Sequence, residues 1–210
     1  MKRFIVTIPL QVAKKVKYAA GDPNEPLLAN DMETAFPMLI PISNSVTEGE
    51  QINVIVITTE NSNVMDENVK ALDEELKLLG KEKNFTYTVT EIKVSSEENN
   101  DKHLGLFRDI ISIFKDNDEV YADITYGQKP TPMVLLMALN YAYEMCGNTD
   151  VKAIIYGQIH WVKGDDGKMK IDGASIYDVS PLFHMNSIVN KMANVKPKDP
   201  LKFIEAIMDM

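Results

Sequence analysis

Short, nearly continuous apolar blocks alternate along the chain with longer stretches in which apolar residues recur every three or four positions. Residues 4–10 (FIVTIPL) and 52–59 (INVIVITT) are apolar at successive rather than alternate positions, the pattern of strands covered on both faces of a parallel sheet. Residues 86–94, 120–125 and 151–159 read as further strands, rich in β-branched and aromatic side chains. Val69, Leu72, Leu76 and Leu79 share one face of a helix predicted over 65–79. Leu106, Ile110, Ile111 and Phe114 do the same for a helix over 104–115, and 133–143 continues as an almost wholly apolar helix. Gly164-Asp165-Asp166-Gly167, set between short alternating segments, predicts a β-hairpin within 161–176. A helix over 180–192 and a last short one over 201–210 follow. Two stretches admit two readings: 14–18 is a short strand or an extended loop, and 36–46, broken by Pro37 and Pro41, is irregular or a short helix.

Strands alternating with helices of this length build βαβ units. The predicted fold is therefore α/β, a Rossmann-like, mostly parallel sheet flanked by helices, with a C-terminal β-hairpin and terminal helices. Residues 1–195 are expected to form one ligand-binding domain, and 196–210 a linker with a short helix. Ligands in such sheets sit beyond the carboxyl ends of the strands, near the point where strand order reverses. That rule selects four loops: Pro9-Leu10-Gln11, Thr58-Thr59-Glu60-Asn61, the turn from Thr125 to Pro130, and Ile159-His160-Trp161.

The third loop carries the most chemistry. A strand runs into Tyr126-Gly127-Gln128-Lys129-Pro130, after which Thr131 is expected to cap a helix whose first residue is Pro132. Backbone N–H groups and the positive end of the helix dipole then point at a turn that also holds a lysine, an arrangement suited to a phosphate. The same geometry also suits an ordinary βα connection whose N–H groups meet only water.

Composition narrows the ligand. The formal net charge of −9 and pI near 4.9 exclude the broad basic face that long DNA or RNA requires, but leave room for a small nucleotide in a locally positive pocket. The most apolar stretch, 133–145, is too short for a membrane span and contains Asn140 and Glu144. Lys2-Arg3 ahead of 4–13 outlines a signal peptide, yet Thr7, Pro9 and Gln11 interrupt it and Lys14, Lys15 and Lys17 follow, so a first strand is preferred. With Cys146 as the single cysteine, no intramolecular disulfide forms, and a cytoplasmic location is expected. Neither the dinucleotide-binding G-x-G-x-x-G nor the P-loop motif occurs. His103, His160 and His184 lie far apart, so no metal site and no cofactor is expected, and Met133, Met137, Met145, Met185 and Met192 read as core or interface packing. Of the histidines, only His160 ends a strand on the ligand side.

DITYGQKPTP at 123–132, followed by an apolar helix containing ALNYAY, resembles the second conserved motif of CRISPR-associated Rossmann-fold (CARF) sensor domains, Asp-x-Thr-x-Gly-x-Arg/Lys after the fourth strand. The likeness extends over most of the chain. A polar loop follows the first strand, with Tyr18 beyond it; residues 52–59 match the second strand, with Asn68 and Glu75 in the next helix; and IYDVSPL at 176–182 resembles the strand-to-helix segment near the end. The resemblance implies a homodimer that binds cyclic oligoadenylate, the messenger made by type III CRISPR complexes, across its two-fold axis.

The ligand-binding set it implies is Thr7, Pro9, Leu10, Gln11, Thr58, Thr59, Asn61, Asp123, Thr125, Tyr126, Gly127, Gln128, Lys129 and Pro130. Gly127 would let the backbone approach phosphate, and Lys129 would neutralise it. Thr7 and Thr125 offer hydroxyls, Gln11 and Gln128 can read adenine edges, and Tyr126 can stack on a base. Asp123 would repel phosphate and is expected to brace the turn through backbone N–H groups or to accept from a ribose hydroxyl. Two departures stand out: Pro9-Leu10-Gln11 lacks the small residues many relatives use to wrap phosphate, and no Arg-x-x-x-x-His of a HEPN ribonuclease is present, with only 197–210 following the sensor-like part. Two functions follow. One is a metal-independent ring nuclease, in which a ribose 2′-hydroxyl attacks the adjacent phosphate with Lys129, Thr125 and Gln11 as catalytic residues. The other is a non-catalytic sensor, part of a longer effector. A third reading is an unrelated Rossmann-like protein that shares only the turn.

Overall fold

A continuous apolar run makes a strand only if both faces of the sheet are covered. The computed structural model, which describes residues 1–60, 64–97, 99–164 and 167–208, shows how this is met. In β1 (Lys2–Thr7), Phe4 and Val6 enter one core and Ile5 the other, and all three are fully buried. β1 is hydrogen-bonded in parallel to β4 (Gln51–Thr59) on one side and β6 (Glu119–Asp123) on the other. The partners Phe4 and Tyr121 stack with ring centroids 4.6 Å apart.

Among the described residues the sheet has eight strands. The others are β2 (Val16–Ala20), β3 (Glu33–Thr34), β5 (Thr86–Val94), β7 (Asp150–Lys163) and β8 (Met169–Asp178), in the order β3-β2-β8-β7-β6-β1-β4-β5. Five strands, β5-β4-β1-β6-β7, are mutually parallel; β8 returns antiparallel to β7, and β2 pairs in parallel with β8. The expected Rossmann-like sheet is thus present, and the C-terminal hairpin is built into it rather than appended. α1 (Leu39–Ser45) and α2 (Met65–Lys83) cover the Phe4 face, while α3 (Asn100–Ile111), α4 (Thr131–Met145) and α5 (Ser180–Val195) cover the Ile5 face. α6 (Pro200–Met208) buries none of its residues. No helix among the described residues is long and apolar enough to cross a membrane.

Several boundaries differ from expectation by a few residues, among them the end of β1 at Thr7 and of β7 at Lys163, and three of the differences have a local cause. α3 starts inside the polar run, because the Asn99 side chain accepts a hydrogen bond from the Lys102 N–H at 3.0 Å and caps the helix four residues early. Thr131 does not cap α4. Pro130 has helical angles (φ −72°, ψ −23°) and takes the cap position, Thr131 is the first helical residue, and its side chain is buried. β6 ends at Asp123 rather than at residue 125, for a reason that belongs to the site. The two open stretches resolve as β2 and α1.

The topology selects one end of the sheet. From β1 the chain steps outward through β4 to β5, then returns to the other side of β1 for β6 and β7, so strand order reverses between β1 and β6. β2 lies beyond β7 and β8 and runs opposite to β1. Residues 8–15 must therefore cross the carboxyl ends of β6 and β7 and the amino end of β8, forming a strap over the reversal point. At the opposite end of the sheet Arg3 is buried against Asp118, with Nη1 also donating to Asn53 Oδ1 at 3.3 Å and the chain's N-terminal ammonium 3.6 Å from Asp118.

Candidate functional site

At the reversal point β1 and β6 are joined by side chains instead of ladder bonds. Thr7 Oγ1 donates to the Asp123 carbonyl and accepts from the Tyr126 N–H, both at 3.2 Å. Asp123 Oδ1 accepts from the Thr125 N–H at 2.8 Å, which turns the chain out of the sheet and ends β6. Thr125 Oγ1 then accepts from the Gly157 N–H of β7 at 2.7 Å, so a side chain carries on the pairing that the backbone has left. Gly157 is required there: a Cβ would lie 2.7 Å from Pro37 Cγ and 3.2 Å from Thr125 Oγ1. Gly127 follows at φ 97°, in the left-handed region that favours glycine. Among the described residues, the N–H groups of Gly127, Gln128 and Lys129 donate to no protein acceptor. Three consecutive free donors thus stand just before α4.

Above this turn lies a cleft of about 290 Å³, lined by the strap from Pro9 to Lys14, by Thr125–Gly127, and by Ile159 and Trp161 of β7. The strap is held from below by Asn68 of α2. This buried amide donates to the carbonyls of Pro9 (2.9 Å) and Gln11 (2.8 Å), and its oxygen accepts from the Ala13 N–H at 3.0 Å. The Tyr126 hydroxyl donates to the Ala35 carbonyl at 3.2 Å and lies 3.3 Å from the Tyr18 hydroxyl, so its ring is tied into the wall of the cleft. Burial raises the pKa of both tyrosines. Asp123 is fully buried, its Oδ2 has no partner among the described residues, and burial pushes its pKa up to about 7 against the stabilising influence of Thr125.

The residues expected from the sequence divide into three groups. Pro9, Leu10, Gln11, Thr125, Tyr126 and Gly127 come together around the cleft. Gln128, Lys129 and Pro130 continue the turn away from it: Gln128 Nε2 donates to the Ser95 carbonyl at 3.3 Å, and Lys129 is exposed between the cleft and α4. Thr7 and Asp123 are buried beneath it with no exposed surface. Thr58 and Thr59 end β4, on the far side of β1 from β6 and outside the cleft lining, and Thr58 is buried with its hydroxyl donating to Glu91 at 2.8 Å. Asn61 lies outside the described residues. His160 is held by a 3.0 Å contact with Ser175 Oγ and does not line the cleft. Sequence reasoning missed Val12, Ala13 and Lys14, whose approach depends on the strap's crossing. For Trp161 the signal was available, because the strand-end rule already selected its loop.

A second concavity, larger and apolar, adjoins the turn on the α4–α5 side. It encloses about 940 Å³ and is lined by exposed Met133, Met137, Tyr141 and Leu182 together with Ile124 and Tyr156. Asn140 faces it with an Oδ1 that has no partner among the described residues. Among the described residues, no cluster of His, Cys, Asp or Glu has metal-binding geometry.

No protein-family profile matches the chain. Over 91 residues, 43% of its length, the chain is 25% identical to the CRISPR-associated protein MJ1674 of Methanocaldococcus jannaschii. The similarity links it to CRISPR-associated proteins. The matched segment spans 13% of that relative's length, so most of the relative has no counterpart here.

Proposed function

We propose that the chain is a CARF-type receptor, acting as a homodimer, for cyclic oligoadenylate in a CRISPR-associated response. The observation that carries the reading is the turn at the strand reversal. Three N–H groups without a protein acceptor among the described residues, a glycine in the left-handed region and an exposed lysine follow one another in a turn whose start, Thr125–Gly127, lines a cleft of about 290 Å³. In an acidic protein this is a local anion site, and it takes phosphate without a metal. The CRISPR-associated relative supports the biological setting. Gln11 and the walls of the cleft face the bases, Thr125 the ribose, and Lys129 the phosphates; Thr7, Asn68 and Asp123 position the loops without touching the ligand.

The apolar groove on α4 and α5 is the dimer face in this reading. It adjoins the turn through Ile124, so a second copy seated there brings two turns and two Lys129 side chains toward one axis. The unpaired Asn140 oxygen then gains a donor. A ring larger than one cleft would lie across both.

If the ring is also cut, a ribose 2′-oxygen attacks the adjacent phosphorus and loses its proton to water. The 5′-oxygen leaves with a proton, and a 2′,3′-cyclic phosphate remains. Lys129 and the free N–H groups stabilise the charge that develops on phosphorus, and Thr125 with Gln11 holds the ribose in line. The alternative is the same receptor without chemistry, as the sensor of a longer effector. The test is to incubate the protein with labelled cyclic tetra- and hexa-adenylate in EDTA, then run a mobility shift and a product assay. A shift with linear products supports the nuclease, and a shift without products the pure sensor. No shift with either ring removes the receptor reading.

A further inference from the structure

Trp161 is the chain's one tryptophan, and it is 45% exposed at the wall of the cleft. Three features show that its placement is specific. Ile159 and Trp161 lie two residues apart on β7, so strand alternation points both into the cleft. The register break opposite His160 and Trp161 puts its extra residue, Asp172, on β8, so the alternation of β7 runs unbroken through Trp161. The strap delivers Lys14 to the ring, with Nζ 5.2 Å from its centroid.

A lysine over an exposed indole is a weak pairing, and a flat base covering the same face gains more. We infer that Trp161 and Lys14 form a stack-and-clamp pair: a nucleobase of the ligand stacks on the indole in place of the ammonium, and the displaced Lys14 pairs with a neighbouring phosphate. This rests on the proposed nucleotide reading and assigns it a base-binding wall across the cleft from Gly127. It also supplies a cation from the strap, whose Pro9-Leu10-Gln11 start has no small hydroxyl residues to wrap phosphate. Stacking tolerates any base. The pair therefore contributes affinity, and the discrimination of adenine falls to hydrogen-bonding groups elsewhere in the cleft.

The single tryptophan makes the test direct. Cyclic tetra- and hexa-adenylate are titrated into the full chain while heat and indole fluorescence are recorded in parallel. The fluorescence is expected to change in step with the heat and to saturate at the same ligand concentration. Trp161→Ala is expected to weaken binding about 10- to 100-fold, the range of one lost base–aromatic stack, and Trp161→Phe to recover most of it. Lys14→Gln is expected to lower the slope of log Kd against log salt by about 0.7, as for one lost phosphate contact. Unchanged melting temperatures in all three variants separate these effects from unfolding. Heat without a fluorescence change, or a Trp161→Ala affinity within about twofold of wild type, overturns this inference and leaves the receptor reading standing. The absence of both heat and a fluorescence change with each ring overturns both readings.

Discussion

Strand β6 is flanked by two buried aspartates that differ in almost everything else. Asp118, just before the strand, faces Arg3, the N-terminal ammonium and the Lys115 N–H, so every element of its charge is answered. Asp123, the last residue of the strand, pairs with no cation among the described residues. It accepts from one backbone N–H, leaves Oδ2 without a partner among the described residues, and holds its proton up to about pH 7. The first closes the amino end of the sheet. The second sits under a turn that strand order has opened, beside three unpaired N–H groups. The same strand thus has a stability end and a ligand end, and the polar groups at the ligand end are positioned at some cost in stability.

The largest effect comes from breaking the satisfied end. Asp118→Ala strands Arg3, which is 7% exposed, and is expected to cost about 3–5 kcal/mol in urea unfolding. Whatever protein remains folded should keep its ligand affinity; a loss of affinity would show that the ends are not independent. Gly157→Ala attacks the other end through backbone approach. Its Cβ meets Pro37, Tyr18 and Thr125, so about 3 kcal/mol of stability and most of the binding should go together.

Asp123→Asn sharpens the contrast through pH. Below about pH 4 the carboxyl is protonated in both folded and unfolded chains and adds no pH dependence. Between its ordinary value of 3.8 and about 7, the folded chain holds a proton that the unfolded chain has released, so stability falls as pH rises. The loss is about 1.4 kcal/mol per pH unit in that window. Asn stays neutral but brings an amide that needs a partner, so the net gain at about pH 8 is on the order of 2 kcal/mol. Melting curves should show the variant above wild type at that pH, the curves crossing between about pH 5 and 6, and the variant below wild type toward pH 4, where only the amide's cost remains. A variant less stable at every pH would mean that the buried carboxylate is answered by something unseen.

Much of this division was legible in the sequence, because continuous apolar runs declare strands covered on both faces. Residues 4–10 and 52–59 declared the centre of the sheet, and the strand-end rule declared the loops that carry the cleft. What was not legible depends on strand order. Lys14 reaches Trp161 only because β2 lies beyond β8, and Thr58 is remote from the turn only because β4 lies on the far side of β1. The α4 cap was misjudged for a local reason: Thr131 has the chemistry of a cap, but Pro130 already has helical angles, and Thr131 is buried as the first helical residue.

The smallest change in stability carries the most information about the account. Lys129 is exposed at the ligand end, whereas Lys2 bonds Glu50 at 2.8 Å on the first strand's opposite end. Lys129→Ala should alter stability by no more than about 0.5 kcal/mol, and Lys2→Ala by about 1 kcal/mol. The measurement is calorimetric titration of cyclic tetra- and hexa-adenylate into both variants in EDTA. Lys129→Ala is expected to lose about tenfold or more in affinity for a ring that wild type binds, as for a lost charge-assisted bond to phosphate, while Lys2→Ala binds as wild type. Equal affinity in Lys129→Ala and wild type, or an equal loss in both variants, would contradict it.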